Sequence, residues 1–183
     1  MTAETAKIGR PDAAEYSPFY AGYIANVPEE PLLAFERQSR ETATLLAAVK
    51  DSAAGHRYAE GKWTVRDVVQ HMSDTERVMS YRALRIARGD DTPLPGFEEN
   101  RYAVAADASR RGWPELVAEL ATVRAASLAL FRSFDAAAWR RWGTASGGAI
   151  TVRALGHIIV GHERHHLEIL RTRYQVIPRS PAS

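Results

Sequence analysis

Apolar side chains recur at spacings of three, four or seven along four long stretches of this chain, the period of a helix with one buried face. The first stretch runs from about Glu30 to Val49 and puts Leu32, Phe35, Thr42, Leu46 and Val49 on one side. The second opens at Thr64 and continues to about Arg88. Thr64 followed by Asp67 has the spacing of a capping box, with Asp in place of the longer Glu or Gln. The third is announced by Trp113-Pro114-Glu115-Leu116, where proline suits a first helical turn, and carries Leu120, Val123, Ser127, Leu130 and Phe134 inward. The fourth runs from Thr151 to about Tyr174, ahead of Pro178. No segment sustains an alternation of period two, so little or no sheet is expected. The pattern predicts an all-α four-helix bundle over residues 30–176. An aromatic, proline-punctuated arm, residues 1–29, is expected to pack across it, and residues 177–183 form a tail.

Two connections are long. Residues 89–112 and 135–150 are rich in Gly, Pro, Asp or Ser, and loops of that length are usually functional or span a bundle end. A short helical turn is expected after Asp135.

Composition narrows the function by exclusion. The 183 residues suit one domain with a well-developed core. The net charge is only +2, with 24 basic and 22 acidic residues interspersed, so nothing resembles a nucleic-acid-binding stripe. No apolar run approaches the roughly 20 residues of a membrane span. The N-terminus lacks the apolar core of a signal peptide, so the expectation is a cytoplasmic protein without membrane partners. There is no cysteine. That removes thiolate ligands and a cysteine nucleophile, and any thiol chemistry would need a thiol supplied by a substrate or cofactor.

Candidate chemistry gathers in the fourth helix. His162-Glu163-Arg164-His165-His166 matches the H-E-x-x-H pattern of zinc proteases. On a helical wheel centred on His162, the side chains of Leu155, Ile158, Ile159, Ile169 and Leu170 fall between about −40° and +80°, and His166 at about +40° lies inside that apolar stripe. His165 sits at the margin and His157 about 140° away, and both read as surface or outlying residues. Two imidazoles one turn apart on a buried face are well placed to share a cation, though a hydrogen-bonded pair meets the same pattern. His71 on the second helix is the best third ligand, with Asp74 one turn on as a group to complete the shell or orient an imidazole. Glu76 reads as a solvated surface acid. The longer protease motif requires glycine and a further histidine where this chain has Ile169 and Thr172, which argues against peptide hydrolysis. Glu163, rotated about 100° from His162, is a candidate general base or a solvent-facing residue. Arg82, Arg85 and Arg124 are candidate clamps for a substrate carboxylate or phosphate, or partners in ordinary salt bridges.

The histidine in WTVRDVVQHMSDTERVMSYRALRIARGD and the spaced pair in GHIIVGHERHHLEIL together resemble the DinB-like (damage-inducible protein) superfamily, over most of the chain. The resemblance implies a bundle of up-down-down-up connectivity and a homodimer. It also implies a divalent cation, zinc or nickel, held by three histidines; carried onto this chain, these are His71, His162 and His166. Some such relatives transfer low-molecular-weight thiols such as bacillithiol, and mycothiol-dependent maleylpyruvate isomerases belong to the wider group. The functional expectation is a metal-dependent thiol S-transferase or hydrolase acting on a small molecule. Its alternative is a non-catalytic, metal-binding stress-response protein acting as a homodimer.

Overall fold

The computed structural model describes residues 7–178; the start of the arm and the end of the tail lie outside them. Two single 3-10 turns, Ala13–Glu15 and Pro18–Tyr20, lead into a short helix α1 (Ala21–Ala25). Then come α2 (Pro31–Ala47), α3 (Asp51–Ala54), α4 (Val65–Ala87), α5 (Glu99–Ala106), α6 (Trp113–Arg132) and α7 (Ala136–Trp139). Strands β1 (Trp142–Ala145) and β2 (Gly148–Thr151) precede the last helix, α8 (Val152–Thr172). The long helices start where the residue types require. The Thr64 hydroxyl accepts from the Asp67 amide while the Asp67 carboxylate accepts from the Thr64 amide at 2.8 Å, a reciprocal cap. Thr151 accepts from the Ala154 amide, and Asp135 caps the short α7 in the same way.

Four helices, α2, α4, α6 and α8, form the bundle, and side-chain contacts fix their directions. Gln38 donates to the Val160 carbonyl at 3.2 Å and Thr42, one turn on, meets Glu163, so α2 and α8 run parallel. Glu76 meets Arg124 and Ser80 meets Ser127 at 2.9 Å, so α4 and α6 run parallel as well. The two pairs oppose each other. Trp113 donates to the Leu46 carbonyl at 3.2 Å at one end of α2, and Arg132 reaches Glu36 at the other. The connectivity is therefore up-down-down-up. Parallel neighbours need a connection that returns the length of the bundle, about 34 Å for a helix the size of α4. That is why residues 88–112 are long, and α5 is built within them.

The expectation is little or no sheet, and among the described residues there is one small hairpin, of which sequence periodicity gives no hint. β1 and β2 pair antiparallel from Trp142 opposite Thr151 to Ala145 opposite Gly148. Their two-residue turn, Ser146-Gly147, has φ of 52° and 76°, the left-handed pair that joins twisted strands tightly. Strands of four residues are too short to establish a period. Leu94 adds to the hairpin edge: its amide donates to Thr144 at 2.9 Å and its carbonyl accepts from Ser146 at 3.0 Å.

The core divides into two apolar halves. One collects Ile24, Phe35, Phe131, Trp139, Leu155 and Ile158; the other collects Leu46, Val69, Trp113, Leu116 and Leu170. The arm closes the first half. The Glu30 carboxylate accepts from the amides of Ile8 and Gly9, and Arg153 pairs with Glu15. Its docking onto α8 is backbone-close at Gly161, where an added Cβ would lie 2.0 Å from the Tyr23 carbonyl oxygen. Among the described residues no helix is long and apolar enough to cross a membrane.

The close approach at Gly161 carries a prediction. Gly161→Ala must push α1 off α8, at a cost of about 1–3 kcal/mol for overpacking. Urea denaturation measures it, and a variant as stable as the parent would show that α1 is not seated there.

Candidate metal centre

His71 sits two turns into α4, and His162 and His166 occupy one face in the middle of the antiparallel α8. The opposed helices bring the three imidazoles together: His162 Nε2 lies 2.9 Å from His71 Nε2 and 3.1 Å from His166 Nε2. All three donor atoms fall within 4.8 Å of one another. Each ring is buried, with 5%, 6% and 9% of its surface exposed for His71, His162 and His166. Burial drives the pKa of His71 down to about 4. Burial also holds His162 and His166 well below the ordinary imidazole range, and charge on the neighbouring histidines would add to the effect. At neutral pH all three rings are uncharged, the state a metal ligand requires.

The donor set fits a divalent cation. Nitrogens bound at 2.0–2.1 Å around a tetrahedral ion stand about 3.3 Å apart, so separations of 2.9 and 3.1 Å need only a few tenths of an ångström of opening. No carboxylate takes part. The Thr75 hydroxyl lies 3.4 Å from His71 Nδ1, and the Trp63 ring packs 4.7 Å from the His71 ring. Among the described residues, His166 Nδ1 is buried without a hydrogen-bond partner.

A cavity of about 920 Å³ opens over His71 and His162. Its walls come largely from outside the four bundle helices. Tyr20 and Tyr23 enter from the arm, Phe97, Glu99 and Tyr102 from the α4–α6 connection, and Ser146 from the hairpin turn. Arg82 holds two of these walls together. Fully buried, it donates from Nη2 to the Pro95 carbonyl at 2.7 Å and to the Ser146 hydroxyl at 2.9 Å, with its guanidinium over the Phe97 ring.

The other residues singled out from sequence lie elsewhere. Glu163 faces away from the cavity, accepting from Thr42 and Arg124 in the core. Arg124 is clamped between Glu163 and Glu76, whose carboxylate it meets through Nε at 2.9 Å and Nη2 at 2.8 Å. Burial works against the charge on Arg124, but Glu163 and Glu76 outweigh it and hold its pKa above the usual value. Burial pushes the Glu163 carboxyl up, with Arg124 opposing. Neither Glu163 as a base nor Arg82 and Arg124 as clamps reaches the cavity, because all three are committed to these internal pairs. Glu76, expected at the surface, is 3% exposed. Asp74 turns to Gln70 and Arg77 rather than to an imidazole, and Arg85 pairs with Asp90. His157 is also buried, its Nδ1 donating to the Arg153 carbonyl at 2.8 Å, because the arm covers a helix face that the wheel left to solvent. His165 is exposed.

The long connections, expected to be functional, supply part of the cavity wall; sequence reading missed the part that the aromatic segment EYSPFYAGYI supplies, having read it as packing only.

Removing Arg124 as Arg124→Leu should cost about 3–5 kcal/mol in chemical denaturation, since it strands two buried carboxylates. Glu163→Gln, which keeps a hydrogen-bonding side chain, should cost clearly less. Equal losses would deny the triad its electrostatic character. The histidines add a pH dependence. Below about pH 6.5 the unfolded chain takes up protons that the folded, metal-free site refuses, so stability falls with pH by up to about 4 kcal/mol per unit for three such rings. Urea titrations of chelator-treated protein between pH 7.5 and 5 should show this slope, and His71→Ala should reduce it by about a third.

Several known proteins are similar to parts of this chain. Over 63 residues, 34% of this chain, it is 30% identical to "Putative metal-dependent hydrolase OB0413" of Oceanobacillus iheyensis. That stretch spans 36% of the relative's length. YfiT from Bacillus subtilis, described as "a probable metal-dependent hydrolase with an unusual four-helix bundle topology", superimposes with a TM-score of 0.68 at 22% identity, covering 86% of this chain and 93% of YfiT. A mycothiol-dependent maleylpyruvate isomerase superimposes with a TM-score of 0.62 at 19% identity, covering 80% of this chain and 62% of the isomerase. At those identities the two structures establish a shared fold. Residues 34–170, from α2 to the end of the histidine helix, match the DinB superfamily, and the chain belongs to that superfamily.

Proposed function

We propose that this protein is a metal-dependent hydrolase of a small molecule, with a divalent cation held by His71, His162 and His166. The observation that carries this reading is the convergence of three buried, uncharged imidazoles, two of which, His71 and His162, form the floor of an open cavity of about 920 Å³. A three-histidine set with room beside it is the pattern of catalytic rather than structural sites. A cation held there supplies Lewis acidity toward a substrate carbonyl or an incoming nucleophile. The chain's own contributions are binding and exclusion of water. Aromatic side chains from the arm and from α5 flank an apolar substrate body, while Met79 and Ile158 line the space near the imidazoles. Glu163 is tied to Arg124, so proton transfer here does not follow the H-E-x-x-H protease scheme.

The names of the hydrolase relatives favour hydrolysis. Transfer of a small thiol remains the second reading, supported by the absence of cysteine and by the fold shared with a mycothiol-dependent enzyme. The open cavity favours either enzyme over a non-catalytic metal store, which has no use for it.

Tag-free protein purified without chelator should carry about one equivalent of a divalent metal by elemental analysis. His71→Ala and His162→Ala should lose it, and with it the ligand's stabilisation, about 2.7 kcal/mol at a hundredfold excess over Kd. Metal retained by both variants would overturn the assignment. Turnover of aryl esters or amides without added thiol, lost in the same variants, separates hydrolysis from a reaction that proceeds only when a thiol and an electrophile are supplied together.

A further inference from the structure

Tyr23 stands apart among the residues that line the cavity. Its position is set by the backbone rather than by its own packing. The missing side chain of Gly161 lets α1 settle against α8, with the Tyr23 carbonyl in the space a Cβ would fill. The next residue on α8 is His162. The Tyr23 ring therefore meets the His162 ring edge-on, with centroids 5.4 Å apart, and meets His165 at the same distance. A tyrosine held this way cannot withdraw from the imidazoles without α1 leaving the bundle.

Its hydroxyl is also uncommitted. The hydroxyl of Tyr174 donates to the Trp63 carbonyl at 2.6 Å, and those of Tyr58 and Tyr81 accept from Arg173 and Arg85. That of Tyr23 has no protein partner among the described residues. Tyr23 itself lines the cavity, as do Glu99 and Tyr20. A phenol is protonated at neutral pH and so offers an O–H. Among competing donors, the hydroxyls of Tyr20 and Tyr102 also line the cavity without a protein partner among the described residues, but neither ring meets one of the three histidines; the others are occupied or remote. The Thr75 hydroxyl leans on His71 Nδ1, the Ser146 hydroxyl is held by Arg82, and Asn100 and Arg101 are exposed at the mouth. The carboxylates of Glu98 and Glu99 can only accept.

We propose that Tyr23 is a substrate-contacting hydrogen-bond donor, its hydroxyl meeting a carbonyl or oxyanion oxygen of a ligand lodged in the cavity beside His71 and His162. This assigns the cavity to oxygen-bearing substrates, and it rests on the reading of the cavity as the substrate site. A neutral donor fixed in a partly desolvated pocket is worth most where negative charge gathers on the oxygen. Tyr23 thus serves carbonyl chemistry better than the binding of a cation or a pure hydrocarbon.

The test uses two probes on the full-length protein loaded with cobalt(II), followed by visible absorption: acetohydroxamate, which presents oxygens, and imidazole, which presents none. Tyr23→Phe keeps the ring against His162 and removes only the hydroxyl. It should weaken acetohydroxamate about five- to tenfold, the effect of one hydrogen bond. Imidazole affinity, cobalt content and thermal midpoint should stay unchanged, and Tyr81→Phe, remote from the cavity, should bind both probes like the parent. Equal weakening of both probes would mean that the substitution disturbs the site as a whole, and would overturn the proposal. So would an acetohydroxamate affinity that does not change. A parent protein that takes up no cobalt overturns the metal assignment itself and this proposal with it. Either result with loaded protein bears on Tyr23 alone.

Discussion

One buried layer of polar side chains organises this bundle. Between the two apolar halves of the core, every long helix contributes to it: Gln38 and Thr42 from α2, His71, Thr75 and Glu76 from α4, Arg124 and Ser127 from α6, His162, Glu163 and His166 from α8. Charges cannot be left unpaired at such depth without a penalty of several kcal/mol, so the four helices must meet in the register that gives Arg124 both of its carboxylates. Sliding any helix by one turn breaks the Glu76–Arg124–Glu163 triad or leaves Thr42 and Gln38 facing apolar surface. Apolar packing alone tolerates rearrangement far better than this. The layer therefore fixes register, and the histidine cluster inherits that precision.

The layer has two faces with different work. On the side of α2 and α6 it is a closed ion-pair network. On the side between α4 and α8 it is three uncharged imidazoles, with His71 and His162 facing a cavity. Consecutive residues of α8 serve the two faces, because a helix turns about 100° per residue: His162 goes to the cavity, Glu163 to the triad. The sequence H-E-x-x-H is thus split by geometry into a pair of clustered imidazoles and a structural carboxylate.

What surrounds the imidazoles comes from the irregular parts of the chain. The parallel placement of α4 and α6 forces a long return, and α5 and Leu94 lie on it. Arg82, entirely buried, ties that return to the hairpin. The arm reaches the same space only because Gly161 lets two backbones touch. Bundle helices hold the chemistry, and the pieces between them shape what can reach it. A fold shared at about 20% identity therefore says little about what these pieces admit.

The four helices, their caps at Thr64 and Thr151, and the inward direction of His162 and His166 were legible in the sequence, since periodicity and capping are local and repeat every turn. So was the pairing of His71 with them, through helix offset and the resemblance its flanking residues carry. The rest depends on contacts between residues distant in the chain. A wheel treats the face of His157 as free because it cannot know that an arm from more than a hundred residues away covers it. It places Glu76 at the surface because the guanidinium that satisfies it belongs to another helix. A two-residue turn joining four-residue strands leaves no period to detect. Local sequence decided which elements form and which way their faces point. Only the tertiary structure decided which charges share a partner, and which aromatic side chains stand over the histidines.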